Sequence, residues 1–221
     1  MKNFKKLIGD KIYLSPKGTT DEEIEIFTQW VNDFQVTDYI GVTSGICTLA
    51  SEKEYLEKMA KDTENRDFNI VDLATDKIIG TTGLKEFNWI NRSASLGIFI
   101  GEAEYRSKGY GTEALNILLE YAFRYLNLHS IRLTLLDVNE RAHKCYLKCG
   151  FKDTGCDRDE IFLNGKYHNK LHMDILESEF NGDFIRNKNI YTIDLTDAED
   201  NVFHTLTFHL GDANFPIKIL E

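Results

Sequence analysis

Arg106-Ser107-Lys108-Gly109-Tyr110-Gly111-Thr112 lies between a strand pattern and a helix pattern, and its reading decides the fold. Upstream, Leu96, Ile98 and Ile100 alternate as they would on a strand. Downstream, Ala114, Leu115, Leu118, Ala122 and Leu126 recur at helical spacing, which predicts a helix from about Thr112 to about Leu126. A helix start offers unpaired N–H groups and the positive end of a dipole. Gly109 and Gly111 let the backbone close on an anion, while Arg106 and Lys108 add charge. The stretch reads as a cradle for a pyrophosphate.

Three phosphate loops compete for it. A Walker loop needs Gly, four residues, then Gly-Lys-Ser/Thr, and the chain has no such string. Gly109, Gly111 and Ala114 fit the dinucleotide fingerprint G-x-G-x-x-A, with Asp137 placed as a ribose-binding acid would be. That fingerprint wants its first glycine directly after the strand, whereas Gly101 to Lys108 intervene here. The third loop, R/Q-x-x-G-x-G/A, is matched at every specified position from Arg106 to Gly111.

The residues downstream of the loop separate the three. Ile131 to Asp137 alternates as a strand, with Ile131, Leu133 and Leu135 on one face. Asn139 is a good N-cap, Ala142, Cys145, Tyr146 and Cys149 recur at helical spacing, and Gly150 closes the helix. The string Asn139-Glu-Arg-Ala-His-Lys-Cys-Tyr146-Leu-Lys-Cys-Gly150-Phe151 closely resembles the N-x-R-A-x-x-x-Y-x-K-x-G-F signature of the GCN5-related N-acetyltransferases, the GNAT superfamily. Trp89 to Gly101 and the loop resemble its ribosomal-protein N-terminal and spermidine acetyltransferase branch. The resemblance covers roughly Lys6 to Phe180 and leaves the acceptor open.

The resemblance implies an α/β GNAT fold: a mixed, mostly antiparallel sheet with helices on both faces and a V-shaped splay between two parallel strands. Acetyl-CoA is the implied cosubstrate, with no metal. Ile98, Phe99 and Ile100 would offer backbone groups to pantetheine, because strands that separate leave such groups unpaired. Arg106, Lys108, Gly109, Tyr110, Gly111 and Thr112 would hold the pyrophosphate, and Asn139 would cap its helix and contact the cofactor. Tyr146 would protonate the departing thiolate as general acid, a role suited to a phenol of pKa near 10. The base is left open among Glu86, Glu102 and Asp137, chosen by position beyond strand ends. A lysine-like amine is neutral in only about one molecule in 10³ at pH 7, so an alkylamine acceptor needs a deprotonation route.

Acceptors in keeping with this reading are a polyamine, another small amine or a peptide N-terminus, acetylated directly in a ternary complex. The alternative is a CoA-binding regulatory or interaction module without catalysis. A nicotinamide-nucleotide oxidoreductase rests on G-x-G-x-x-A alone, and the antiparallel strands ahead of the loop disfavour it.

Composition narrows the classes. The net charge of −10 argues against a nucleic-acid partner and suits a cationic acceptor. No apolar run reaches the ~20 residues of a membrane span, and no secretory signal stands at the start, which points to the cytoplasm. The four cysteines, Cys47, Cys145, Cys149 and Cys156, form no C-x-x-C and no zinc spacing, so neither a disulfide nor a metal is expected.

Elsewhere, a strand is expected over Lys11–Leu14. Capping boxes at Thr20–Glu23 and Ser51–Glu54 would open two helices, the first burying Ile24, Phe27, Val31 and Phe34, with a loop over Val36–Leu49 between them. Strands are expected over Phe68–Leu73 and Lys77–Gly83. Lys152–Ile161 and Tyr167–Leu176 would flank an Asn164-Gly165 hairpin turn. Residues 1–180 form the expected acetyltransferase domain. Residues 181–221 are read as a β-rich extension, with strands at Asn189–Leu195 and Val202–Leu210 and an edge strand at Pro216–Leu220. It would extend the sheet, cover the acceptor cleft or form a homodimer contact.

Overall fold

A computed structural model describes residues 3–41, 43–186, 190–196 and 202–209. β1 (Leu7–Ile8) and β2 (Ile12–Pro16) form a small hairpin. The Thr20 capping box opens α1 (Asp21–Val31). Thr20 Oγ1 accepts from Glu23 N–H at 3.3 Å, and Glu23 Oε2 accepts from Thr20 N–H at 3.2 Å. Glu23 is buried because Oε1 also accepts from Asn69 Nδ2 at 2.6 Å. The buried face of α1 is Ile24, Phe27 and Trp30, not Val31 and Phe34. The helix stops at Val31, Asp33 caps the short α2 (Phe34–Thr37), and Phe34 is left 66% exposed.

The second capping box is displaced from its expected place. Thr48 takes the N-cap of α3 (Leu49–Lys61), so Ser51 is its third residue and closes the box with Thr48. The hydroxyl of Thr48 lies one turn earlier than the sequence pattern suggests, and Leu56 becomes the buried anchor while Tyr55 stays half exposed.

β3 (Arg66–Asp72), β4 (Ile78–Asn88) and β5 (Ser93–Ile100) follow as an antiparallel meander. After the loop comes α4 (Tyr110–Glu120), which ends earlier than its apolar spacing predicts. Tyr121–Tyr125 forms a π-helical turn in which Leu126 N–H bonds the Tyr121 carbonyl at 3.1 Å. β6 (Ser130–Leu136), α5 (Glu140–Lys148), β7 (Lys152–Leu163) and β8 (Lys166–Leu176) complete the main body. Asn164 and Gly165 both take positive φ (50° and 78°), as a two-residue type I′ hairpin turn requires.

The eight strands form one sheet in the order β1-β2-β3-β4-β5-β6-β8-β7. Only β5 and β6 run parallel. One core joins α4 and α5 to the sheet through Leu84, Leu96, Leu115, Leu118, Ile131 and Phe151. A second joins α1 and α3 to it through Tyr13, Phe27, Trp30, Leu56 and Val71.

The chain does not leave this body at Phe180. Glu120, fully buried, accepts the N–H groups of Phe184 (2.5 Å) and Ile185 (3.0 Å), and Arg186 N–H bonds the Ile8 carbonyl at 2.6 Å. Beyond it, β9 (Ile190–Thr196) and β10 (Val202–His209) pair antiparallel with each other. The expected edge strand at Pro216–Leu220 lies outside the described residues.

Candidate active site

The parallel ladder between β5 and β6 holds for three pairs, Ser93↔Ser130, Ala94↔Ile131 and Ser95↔Arg132, and then ends. β5 stays paired to β4 as far as Gly80↔Ile100, and β6 stays paired to β8 as far as Leu136↔Lys170. Leu96 to Ile100 therefore face β6 across a gap. The gap belongs to a cleft of about 1880 Å³ lined by Ile98, Phe99, Ile100, Gly109, Gly111, Thr112, Asn139 and Tyr146.

The loop meets the cleft as a helix start. The first intrahelical bond of α4 runs from Glu113 N–H to the Gly109 carbonyl at 3.0 Å, so the N–H groups of Tyr110, Gly111 and Thr112 precede the ladder. Gly109 has φ +90°, a conformation that glycine adopts without cost. A Cβ on Gly111 would meet only Ile100 Cγ1, at 3.8 Å, so the space in front of this turn is open to a ligand. Glu113 fixes the turn by accepting Lys11 N–H at 2.7 Å and Ile12 N–H at 3.3 Å. An unpaired strand edge leading to free N–H groups at a helix start fits pantetheine and pyrophosphate.

Arg106 sits differently from its expected role. Its Nε donates to the Ile100 carbonyl at 3.0 Å and its Nη2 to the Gly101 carbonyl at 2.7 Å. The guanidinium thus ties the loop to the end of β5 rather than reaching out alone. Lys108 is exposed, and its carbonyl accepts Lys11 Nζ at 3.4 Å.

Tyr146 lines the cleft and is 8% exposed. Burial, and then the neighbouring Cys145 and Cys149, push its phenol above the ordinary range, which keeps it protonated at neutral pH. Asn139 Oδ1 accepts Ala142 N–H at 3.2 Å, capping α5. Cys145 and Thr112 share a hydrogen bond at 3.2 Å, which links α5 to the cradle. Hydrogen bonding from Cys149, helped by Thr112, Lys148 and Arg141, lowers the Cys145 thiol against opposing burial.

The three acids beyond the strand ends are dispersed. Glu86 lines the cleft, 68% exposed, and accepts Ser95 Oγ at 2.5 Å and Arg132 Nη2 at 3.3 Å. These partners hold its carboxyl below the usual range. Glu102 does not line the cleft; it accepts Trp30 Nε1 at 3.1 Å and Lys77 Nζ at 2.6 Å. Asp137 also lies outside the lining, taking Asn169 N–H at 3.1 Å beside His168 Nδ1 at 3.4 Å.

Sequence reasoning missed the acids that enter the cleft from the α1 and α3 side. Glu52 is 4% exposed; its Oε2 accepts the Cys47 thiol at 3.1 Å, and its Oε1 is buried without a hydrogen-bond partner. Asp67 and Lys17 line the same wall, and burial lowers Lys17 to about 8. No local pattern marks these residues, because they come from three separate elements. Among the described residues no group of three or more His, Cys, Asp or Glu is arranged to hold a metal. No described helix is long and apolar enough to cross a membrane.

Comparison with known proteins agrees with this geometry. Residues 12–152 match the family model described as an acetyltransferase (GNAT) domain. A spermidine N(1)-acetyltransferase of Vibrio cholerae serotype O1 is 37% identical over 128 residues, which is 58% of this chain and 73% of that protein. The probable N-acetyltransferase YjcK of Bacillus subtilis is 30% identical over 182 residues, 78% of this chain and 98% of that one. The crystal structure of spermidine N-acetyltransferase from Vibrio cholerae with CoA and spermine superposes with a TM-score of 0.69 at 30% identity, covering 76% and 97% of the two chains. With the splayed strands, the cradle and the family match in agreement, the chain belongs to the GNAT family and is an acetyl-CoA-dependent N-acetyltransferase.

Proposed function

We propose that this enzyme acetylates a primary alkylamine, with a linear polyamine as the acceptor class. The observation that carries the reading is the pair of buried carboxylates, Glu52 and Asp67, each with an oxygen lacking a hydrogen-bond partner, in the cleft wall. A buried carboxylate oxygen without a donor is costly, and an ammonium group supplies one. The net charge of −10 favours the approach of cations to the molecule as a whole. The relatives named as spermidine acetyltransferases support the same class.

Acetyl-CoA supplies the acyl group already activated as a thioester. The backbone of Ile98, Phe99 and Ile100 orients it along the open edge of β5. The N–H groups of Tyr110, Gly111 and Thr112, at the positive end of α4, hold the pyrophosphate, with Lys108 adding charge. Arg106 keeps the two stations in register. Asn139 fixes the start of α5 and so the placement of Tyr146, whose Oη gives its proton to the departing sulfur. Glu86, held ionised by Ser95 and Arg132, serves as a charge for the acceptor. Glu102, bound to Trp30 and Lys77, steadies the far end of β5.

Thioester consumption measured with spermidine, spermine, a monoamine and a peptide with a free N-terminus tests the reading. Preference for the polyamines by an order of magnitude or more in kcat/KM is expected. Preference for the peptide would replace the acceptor class, and CoA binding without turnover on any amine would favour a binding module.

A further inference from the structure

Three residues in register make a lane free of side chains across the sheet. Asp67 on β3 pairs with Gly83 on β4, and Gly83 pairs with Gly97 on β5. Directly opposed residues project to the same face, so one carboxylate and two glycines share a row. A Cβ on Gly83 would lie 2.5 Å from Asp67 Oδ1, which means the carboxylate leans into the space a side chain there would fill. A Cβ on Gly97 would meet nothing within 4 Å. The row runs from a carboxylate, over bare backbone, to the strand that parts from β6 just before Gly97. All three residues line the cleft.

The Asp67 side chain is 9% exposed, and its Oδ2 is buried without a hydrogen-bond partner. Lys85 Nζ faces Oδ1 at 3.7 Å, too far for a hydrogen bond. Burial raises the Asp67 carboxyl above its usual range, with Asp62 adding to the rise and Lys85 and Lys17 opposing it. Lys17 in turn faces Glu52 and Glu23. Glu86 is the reverse case, an exposed carboxylate made less basic by its partners. A base that must take a proton from an amine is better served by Asp67.

We propose that Asp67 is the general base of the transfer, its Oδ1, the oxygen that leans over Gly83, receiving the proton of an acceptor ammonium lying along the Gly83–Gly97 lane. This rests on the acetyltransferase reading above. An N–H bond of the ammonium breaks and its proton moves to Oδ1. The freed lone pair forms the N–C bond to the acetyl carbon as the C–S bond breaks, and the Tyr146 Oη proton goes to sulfur. The surplus proton on the new amide nitrogen restores the phenol, and Asp67 releases its proton to solvent. One proton leaves per turnover.

The test compares wild type with Asp67→Asn across pH and across amines of different basicity. For an alkylamine, kcat should fall about 10²–10⁴-fold and the acid limb of the pH profile should vanish. For an amine whose pKa lies below the assay pH, the defect should shrink towards nothing. Lys85→Met should move the acid limb to higher pH, because Lys85 favours the ionised carboxylate, and this variant decides the matter if Asp67→Asn fails to fold. In the free protein, the carboxyl 13C resonance lost in Asp67→Asn should titrate above the ordinary value of about 3.9. A defect equal for all amines, or an acid limb unmoved by Lys85→Met, overturns the assignment. Turnover unchanged in Asp67→Asn overturns Asp67 alone, whereas wild type that acetylates no amine overturns the parent reading with it.

Discussion

The backbone N–H of Phe151 donates to the carbonyl of Tyr146 at 3.1 Å, and the two rings meet with centroids 5.9 Å apart. Gly150 N–H bonds the Leu147 carbonyl at 3.1 Å, so the end of α5 is a Schellman closure with its apolar contact. The glycine and the aromatic after α5 therefore hold the Tyr146 phenol in place. Gly150→Ala forces a side chain into φ +95° and within 3.1 Å of Ile175 Cδ1. A loss of about 1–2 kcal/mol in denaturant unfolding is expected, together with a lower kcat.

Tyr146→Phe removes the proton donor and keeps the ring. Turnover should fall roughly 10²–10⁴-fold while acetyl-CoA affinity, read by calorimetry, changes little. Because the phenol lies above its ordinary range, no loss of activity from its ionisation should appear between pH 6 and about 9. Equal turnover by the variant would remove Tyr146 from the mechanism.

The two cradle glycines should separate in their effects. Gly111→Ala meets only Ile100 Cγ1 at 3.8 Å, so the fold should keep its Tm while CoA affinity drops by about tenfold or more, or about 1.4 kcal/mol. Gly109→Ala sits at φ +90° and should lower Tm as well. Thermal unfolding and CoA titration of both variants check the contrast.

Cys145 should react faster with iodoacetamide at pH 7 than an ordinary thiol of pKa near 8.5. Its rate should fall at a lower pH than an ordinary thiol's does, because its thiol is lowered. Because Cys145 lines the cleft, saturating CoA should slow the reaction. Mass spectrometry of the alkylated peptide reads both effects.

Glu120→Ala leaves the Phe184 and Ile185 amides without their acceptor. Loss of hydrogen bonds to a charged group, together with the stranded amides, should cost about 2–4 kcal/mol. Hydrogen exchange should show the segment around Phe184 opening first.

Much of the fold was legible because it is local. Thr20 and Glu23 are three apart and cap one helix; Asn164 and Gly165 are adjacent and make one turn. The Asn139 to Phe151 string is a single helix with both its ends. Misreadings arose where neighbouring signals compete, as when Thr48 outranks Ser51 for the cap, or Asp33 restarts a helix and turns Phe34 outward. The π-helical turn at Tyr121–Tyr125 escaped because apolar spacing does not register a change of hydrogen-bond partner. Asp67 escaped for a deeper reason. Its meaning comes from Gly83 and Gly97, which meet it only when three strands are laid in register.

Arg106, clamped to the carbonyls of Ile100 and Gly101, gives the site a fixed gauge length. The loop before α4, where the phosphates are proposed to sit, and the end of β5 cannot drift apart independently, because the Arg106 side chain rooted in that loop is fastened to the carbonyls of Ile100 and Gly101. A cosubstrate gripped as proposed at its distant, chemically inert end would thereby be set to depth at its reactive end, much as a tool is set by the collar on its shank. Shorter acyl carriers that reach the cleft but lack the far handle would find the reactive station without the stop that sets their position.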